Sequence, residues 1–215
     1  MTTLQTFLFS SLNWIEIFAA LTAIIYYKSV KNSYWKWFVY YLISIAFLEC
    51  MGKFIVSHYK EFNTYYYDYL VIPLEFIFLY WLYSKSLLKI KLFYIFTTIY
   101  VVSFLPHLFY SFKLLNINSL SYTIGNFIML IFVFLEFKKQ IKTDEILLFK
   151  QNRMFYINCG VIIFYVGTLP LFTFYDYLAI NLKDILSYYY TFFLLANCIL
   201  YLLFATSFIC GKQNL

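Results

Sequence analysis

Apolar stretches of close to 20 residues constrain the fold of this chain more than any other feature of its sequence. A helix that crosses a bilayer needs about 20 mainly apolar residues. Seven stretches meet this requirement: 11–28, 36–58, 66–86, 91–110, 119–138, 154–176 and 184–209. Because backbone groups in lipid must find their hydrogen bonds within the protein, each stretch is predicted to be a helix. The sequence therefore predicts an all-α membrane protein, a bundle of seven transmembrane helices that forms a single domain over residues 1–215.

The balance of apolar and charged residues agrees with a membrane environment. Hydrophobic residues make up 64% of the chain and charged residues 12%, whereas soluble domains carry about 25% charged residues. A soluble protein of 215 residues has no interior large enough to hide 27 Phe and 24 Tyr side chains. The lipid bilayer is therefore the first predicted partner of this chain.

The distribution of basic residues predicts how the helices are oriented. Twelve of the sixteen Lys and Arg residues fall on one side of the seven predicted spans, with the largest group between 138 and 153. Because basic loops stay in the cytoplasm, the N-terminus is predicted outside and the C-terminus inside. The N-terminal segment lacks the positive region of a signal peptide, so the first stretch is predicted to be a retained helix. The Lys residues are scattered along the chain, which argues against nucleic-acid binding.

Three carboxylates interrupt the predicted helices at a similar depth. Glu16 comes early in the first helix, Glu49 late in the second, and Glu75 in the first half of the third. In the predicted orientation all three lie about 8–12 Å below the outer surface of the membrane. Asn13 and Lys53 share helix faces with Glu16 and Glu49, and the spacing of Lys53 suits an ion pair with Glu49. These five residues are predicted to ring a polar, ligand-binding cavity that opens outward.

The three prolines of the chain support this position for the cavity. Pro73, Pro106 and Pro170 all fall in the outer halves of their predicted helices. A proline removes one backbone hydrogen bond and clashes with the carbonyl four residues before it, so each is predicted to kink its helix. Kinks at one level would splay the bundle there. The inner half is predicted to be tightly packed and apolar, with Asn158 as the exception.

A purely structural role is the alternative for all of these polar residues. An intramembrane glutamate can be neutral and hydrogen-bond a neighbouring helix, a contact that averages under about 1 kcal/mol. Three carboxylates at one depth weigh against that alternative, because ionisable groups inside a membrane are costly and usually functional. Asn126, Asn158 and Asn197 are predicted to serve helix packing.

Motifs for catalysis are not found in the sequence. The last predicted helix contains no Lys that could form a retinal Schiff base, and the two histidines, His58 and His107, fall on separate helices. GxSxG, HExxH and phosphate-binding glycine loops do not occur. The chain is therefore predicted not to be an enzyme, and no cofactor or metal site is predicted.

Three predicted helices carry short motifs of a known kind. After Asn63 in a loop, the third helix contains PLEF (73–76), the sixth reads FYINCGVIIFYVGTLPLF (155–172), and the seventh has Asn197 before ILY (199–201). With Glu75, Asn158, Gly160, Tyr165 and Gly167 in their motif positions, the chain resembles the short seven-helix membrane proteins common in the Bacteroidota. The resemblance implies a membrane module that is encoded beside sensor kinases or acts as an accessory protein, and it implies no particular activity.

These observations give one leading functional hypothesis and one alternative. The leading hypothesis is a multi-pass protein of the bacterial inner membrane, a sensor or accessory signalling module. Its outer cavity binds a small, lipidic or protonic ligand, and its basic loops contact a membrane or cytoplasmic protein. The alternative is a small transporter or an oligomeric pore-forming effector, for example in antiviral defence. A transporter predicts polar groups at the midplane, and a pore needs them through the full depth of a helix.

Overall fold

The computed structural model describes residues 2–59, 62–105 and 119–211, apart from the side chains of Ser57 and Asp176. Of the described residues, 90% are helical, and none forms a strand. The predicted all-α class is thereby confirmed. We number the principal helices of the described part as α1 (Thr3–Ile25), α2 (Lys36–His58), α3 (Ile72–Ser86), α4 (Ile90–Val102), α5 (Ser119–Lys142), α6 (Arg153–Thr173) and α7 (Lys183–Cys210). Shorter helical segments at Tyr27–Val30, Phe62–Tyr66, Glu145–Gln151 and Tyr175–Asn181 lie between them.

Five helices of the described part are long and apolar enough to cross a membrane: α1, α2 over Lys36–Val56, α5, α6 and α7. The other two predicted spans correspond to shorter helices. α4 has 13 residues, and the rest of its predicted stretch, 106–110, lies outside the described residues. α3 has 15 residues and continues a helical segment that starts at Phe62 and contains the charged Asp68.

The first helix begins eight residues before its predicted start. Thr2 and Gln5 form a capping box: the Thr2 hydroxyl oxygen accepts from the Gln5 backbone N–H at 3.3 Å, and Gln5 Oε1 accepts from the Thr2 N–H at 2.9 Å. Such a pair satisfies two backbone donors that a helix start otherwise leaves free. The predicted boundary at residue 11 was wrong because it followed hydropathy and ignored this Thr-x-x-Gln pattern.

The helices pack in two connected groups. α1 lies against α2 and α7, and α7 also lies against α6, while α3 lies against α4 and α5. Two clusters of rings join the groups. One contains Phe38, Phe78, Phe204 and Phe208, and the other contains Phe76, Tyr100, Tyr122 and Tyr165. Because lipid is as apolar as these side chains, close packing rather than escape from water holds such rings together.

Two prolines of the described part each follow a π-helical turn. The turn Tyr67–Val71 ends two residues before Pro73, and its last bond runs from the Ile72 N–H to the Tyr67 carbonyl oxygen. The turn Ile162–Val166 ends four residues before Pro170. A proline cannot donate to the preceding turn, and π turns are a recognised cause of helix kinks. Pro106 lies outside the described residues.

The prediction that the inner half is apolar was wrong. Glu136 and Gln140 of α5 are completely buried at the end of the bundle predicted to face the cytoplasm. Glu136 Oε1 accepts from Ser86 Oγ at 3.0 Å and lies 3.5 Å from Lys139 Nζ. Burial, and next the charge of Glu136, raises the pKa of the neighbouring Tyr34 to about 12, so this phenol is neutral at physiological pH. The error arose because the predicted fifth helix ended at 138, which assigned Glu136 to a solvated boundary.

Candidate functional site

A cavity of about 520 Å³ lies at the end of the bundle where α1, α5 and α7 begin and α2 and α6 end. This volume falls within the range of small-molecule sites in proteins. In the described part of the chain, its walls come from six of the principal helices, with Phe164 from the second π turn within α6, and from the first π turn. It lies at the end that the sequence predicts to face outward.

Glu75 connects three helices at this cavity. Tyr201 Oη of α7 donates to Glu75 Oε1 at 3.1 Å, and Tyr165 Oη, from the second π turn, donates to Oε2 at 3.5 Å. Both tyrosines are 2% exposed, whereas Glu75 is partly accessible because it faces the cavity. The three residues belong to the three short motifs singled out in the sequence, so these motifs meet at one point in space.

Glu49 of α2 forms a second carboxylate site in the cavity wall. Tyr67 Oη, from the first π turn, donates to Glu49 Oε2 at 2.8 Å, and Tyr66 Oη donates to the Leu48 carbonyl oxygen at 2.8 Å. Gly52 leaves room for this contact, because a Cβ at its position would lie 2.5 Å from Tyr67 Oη. The π turn therefore brings the phenol to the carboxylate.

Glu16 lies behind this pair, away from the cavity surface. It is 3% exposed, and its Oε2 has no hydrogen-bond partner among the described residues. Glu16, Glu49 and Glu75 are nevertheless close enough to interact electrostatically with one another. The structure thus brings together the three carboxylates singled out in the sequence, and two of them line the cavity.

Lys53 and Asn13 do not line the cavity in the described part of the chain. Lys53 is exposed, and its Nζ lies 5.6 Å from the centre of the Phe9 ring. Its predicted ion pair with Glu49 does not form within 4 Å. A long Lys side chain near a helix end can keep its ammonium in water while its stem packs on apolar neighbours. The i, i+4 spacing allows an ion pair between Glu49 and Lys53, but it does not determine whether the pair forms.

The asparagines predicted to serve helix packing separate into two groups. Asn197 lines the cavity. Asn126 and Asn158 are 1% and 0% exposed and lie away from it. A packing role for these two stays a prediction.

Several lining residues carried no functional weight in the sequence. Tyrosines near helix ends resemble membrane-interface belts, so Tyr67 and Tyr122 gave no distinct signal. Gln5 lies before the predicted first helix, yet its Nε2 donates to the Ser187 carbonyl oxygen and to Thr191 Oγ1, each at 3.0 Å. The Thr-x-x-Gln capping pattern was the feature of the sequence that could have pointed to Gln5.

The cavity is equipped for binding. Carboxylates, phenols and carboxamides converge on a space whose walls are mainly aromatic and aliphatic, as in sites that orient a ligand with few polar contacts. Among the residues that the structure describes, no group of three or more His, Cys, Asp or Glu side chains is placed to hold a metal ion. Comparison of the chain with protein-family models, curated proteins and solved structures finds no match in any of the three.

Proposed function

We propose that this protein is a non-enzymatic sensor or accessory module of a bacterial inner membrane, and that its cavity binds a small or lipidic ligand. The observation that carries the proposal is the convergence of Glu75, Tyr165 and Tyr201 at a cavity of about 520 Å³. Bonds between helices α3, α6 and α7 meet at the ligand's own site, so occupancy can alter how these helices pack. Such a site suits a protein that reports on its ligand to a partner.

We further propose seven membrane spans with the cavity facing outward. The twelve basic residues on one side support this orientation. The helical segment Phe62–Ser86 adds a length of chain to α3 that is sufficient for a span. For α4, the predicted span includes residues beyond the described part.

Reporter fusions test this topology. Alkaline phosphatase fused after residue 60 or 182 is expected to be active, because the enzyme folds only outside the cytoplasm. Fused after residue 31 or 89 it is expected to be inactive, and green fluorescent protein in those two positions is expected to fluoresce. A phosphatase that is active after residue 89 would contradict a seven-span arrangement.

The close packing between the cavity and the inner polar residues Glu136 and Gln140 favours ligand binding over conduction by a single chain. Along α3, between Glu75 and Ser86, the side chains of Phe76, Leu79 and Tyr80 are 0% exposed. Packed this closely, they leave no water-filled path along this helix, and a pore would need one.

Native mass spectrometry tests whether the cavity holds a ligand. Protein purified from membranes in a mild detergent is expected to carry a non-protein mass. Asn197→Phe is expected to abolish it, because the larger side chain projects into the cavity and obstructs the ligand. Leu195→Phe is the matched control: Leu195 lies on the same helix and is 46% exposed, so this variant should keep the mass. Equal occupancy in the two variants, or no bound mass in the wild-type protein, would overturn the proposal.

A further inference from the structure

We infer that the ligand is an organic cation, an amine with an apolar body. The inference rests on the proposed function, since it names the chemistry of what the cavity binds. It is argued from the charges around the cavity, from the hydrogen bonds that its polar groups already make, and from its walls.

Carboxyl groups cluster in the described part of the lining where the ligand's polar group would lie. Glu49 and Glu75 both line the cavity and interact electrostatically with each other, and Glu16 adds a third carboxyl group behind them. Lys53 is exposed, with its Nζ over Phe9; it lies within electrostatic range of Glu49 and Glu16 but forms no ion pair with them within 4 Å. A cation bound beside these carboxyl groups favours their ionised forms and is attracted to them.

One basic residue, Lys183, is found among the described residues that line the cavity, and it lies far from Glu75. Lys183 is the first residue of α7 and is exposed. Glu75 lies beside Tyr201, which is five helical turns further along α7. At about 1.5 Å per residue, eighteen residues separate the two levels by about 27 Å along the helix axis. Lys183 is therefore too distant to neutralise Glu75 directly.

The hydrogen bonds already present leave acceptors free. An ionised carboxylate has about four acceptor positions. Glu75 receives two phenol hydrogens and Glu49 receives one from Tyr67. The remaining positions suit the N–H groups of an ammonium ion. An anion would need donors, and the hydroxyl hydrogens of Tyr67, Tyr165 and Tyr201 are already committed to the carboxylates.

The walls favour a cation with an apolar body over a small inorganic ion. Eight aromatic side chains of the described residues line the cavity, among them Tyr122, Phe164, Phe172 and Phe193. Aromatic faces attract organic cations, and this attraction grows when the cation is removed from water. A cavity of about 520 Å³ is also far larger than a single metal ion requires.

Three compounds with one carbon skeleton test the inference: 4-phenylbutylamine, 4-phenylbutanol and 4-phenylbutyrate. In titrations of the purified full-length protein, the amine is expected to bind at least tenfold more tightly than the alcohol or the acid. Glu75→Gln is expected to weaken amine binding tenfold or more, because a hydrogen bond to a charged group is lost. It should change alcohol binding less than twofold. Glu145→Gln, which removes a carboxylate at the opposite end, should leave all three affinities unchanged.

The outcomes separate this inference from the proposed function. Asn197→Phe should block the amine and the alcohol alike, since it obstructs the cavity without changing the charge of any side chain. If the alcohol or the acid binds as tightly as the amine, or if both Glu75→Gln and Glu49→Gln retain full amine affinity, the cavity binds ligands but not through cation recognition. If none of the compounds binds while the co-purified mass is present, the inference is also overturned. If Glu75→Gln fails to fold, the amine affinity of Glu49→Gln tests the inference in its place.

Discussion

Gly125→Val is expected to lower the free energy of unfolding by about 3 kcal/mol, the upper end of the range for overpacked cores. A Cβ at Gly125 would lie 2.8 Å from Cζ of Phe76. The Phe76 ring is 0% exposed, and its centre lies 5.2 Å from the ring centres of both Tyr100 and Tyr165. Surrounded in this way, the ring has no direction in which to yield. The carbonyl of Gly125 also accepts from Tyr80 Oη at 2.9 Å, a bond that displacement of α5 would lengthen.

The reciprocal change tests whether these two positions share one space. Phe76→Ala alone is expected to cost about 3 kcal/mol, because it leaves a cavity between helices α3, α4, α5 and α6. In the double variant, the side-chain volume added by Gly125→Val refills part of that cavity. The double variant should therefore be more stable than the sum of the single effects by about 1–3 kcal/mol.

Unfolding in mixed micelles, followed by circular dichroism as sodium dodecyl sulfate is added, measures these differences. Phe134→Ala is the control for the loss of a phenyl ring, since Phe134 is 68% exposed and faces the lipid. It should change the free energy of unfolding by less than about 0.5 kcal/mol. Strict additivity of Gly125→Val and Phe76→Ala would show that the two side chains do not compete for the same volume.

Hydropathy predicted the helical class because it reports the length of each apolar stretch directly. The described helices α2, α5 and α7 lie within a few residues of their predicted limits. Hydropathy could not locate the start of α1, which depends on the side-chain bonds of Thr2 and Gln5. Nor could it show that the chain from Phe62 to Ser86 passes through a π turn. That change of hydrogen-bond partner follows from Pro73 only once the backbone is built.

The sequence alone predicted the carboxylates of the site, but it did not predict which tyrosines donate hydrogen bonds to them. Counting residues from a predicted membrane face placed Glu16, Glu49 and Glu75 at one level, and the structure brings them within electrostatic range of each other. Which of the 24 tyrosines donate to them depends on the helix rotations that tertiary packing fixes. The same is true of Lys53, whose spacing allowed contact with Glu49 but whose ammonium lies over Phe9.

Arg153→Ala is expected to release the C-terminal end of α7. Arg153 Nε and Nη2 donate to the Gly211 carbonyl oxygen at 3.1 and 3.0 Å, and its guanidinium carbon lies 5.6 Å from the Trp35 ring centre. Gly211 ends α7, where backbone carbonyls lack partners within the helix. The loss of both hydrogen bonds from the charged guanidinium to this carbonyl oxygen should destabilise this end of α7 by about 2–3 kcal/mol. Hydrogen exchange of residues 207–210 should accelerate by about 30-fold to 150-fold.

Two further variants define what this contact depends on. Arg153→Lys keeps the positive charge but loses the planar guanidinium with its two parallel donors. About half of the protection from hydrogen exchange should therefore be lost. Lys150→Ala removes an exposed cation close in sequence and should leave exchange unchanged. Unchanged exchange in Arg153→Ala would contradict the anchoring role.

The same variant also separates the two ends of α7. The cavity residues Asn197 and Tyr201 lie on the helix that Arg153 anchors, at least ten residues from Gly211, which is about 15 Å along the axis. Distant sites without shared partners act independently to within about 0.5 kcal/mol. If α7 moves only locally when its end is freed, amine binding to Arg153→Ala should stay within about twofold of the wild-type value. A larger loss would mean that the inner anchor and the cavity are coupled through α7, which is the connection that a protein sensing its ligand outside and reporting inside requires.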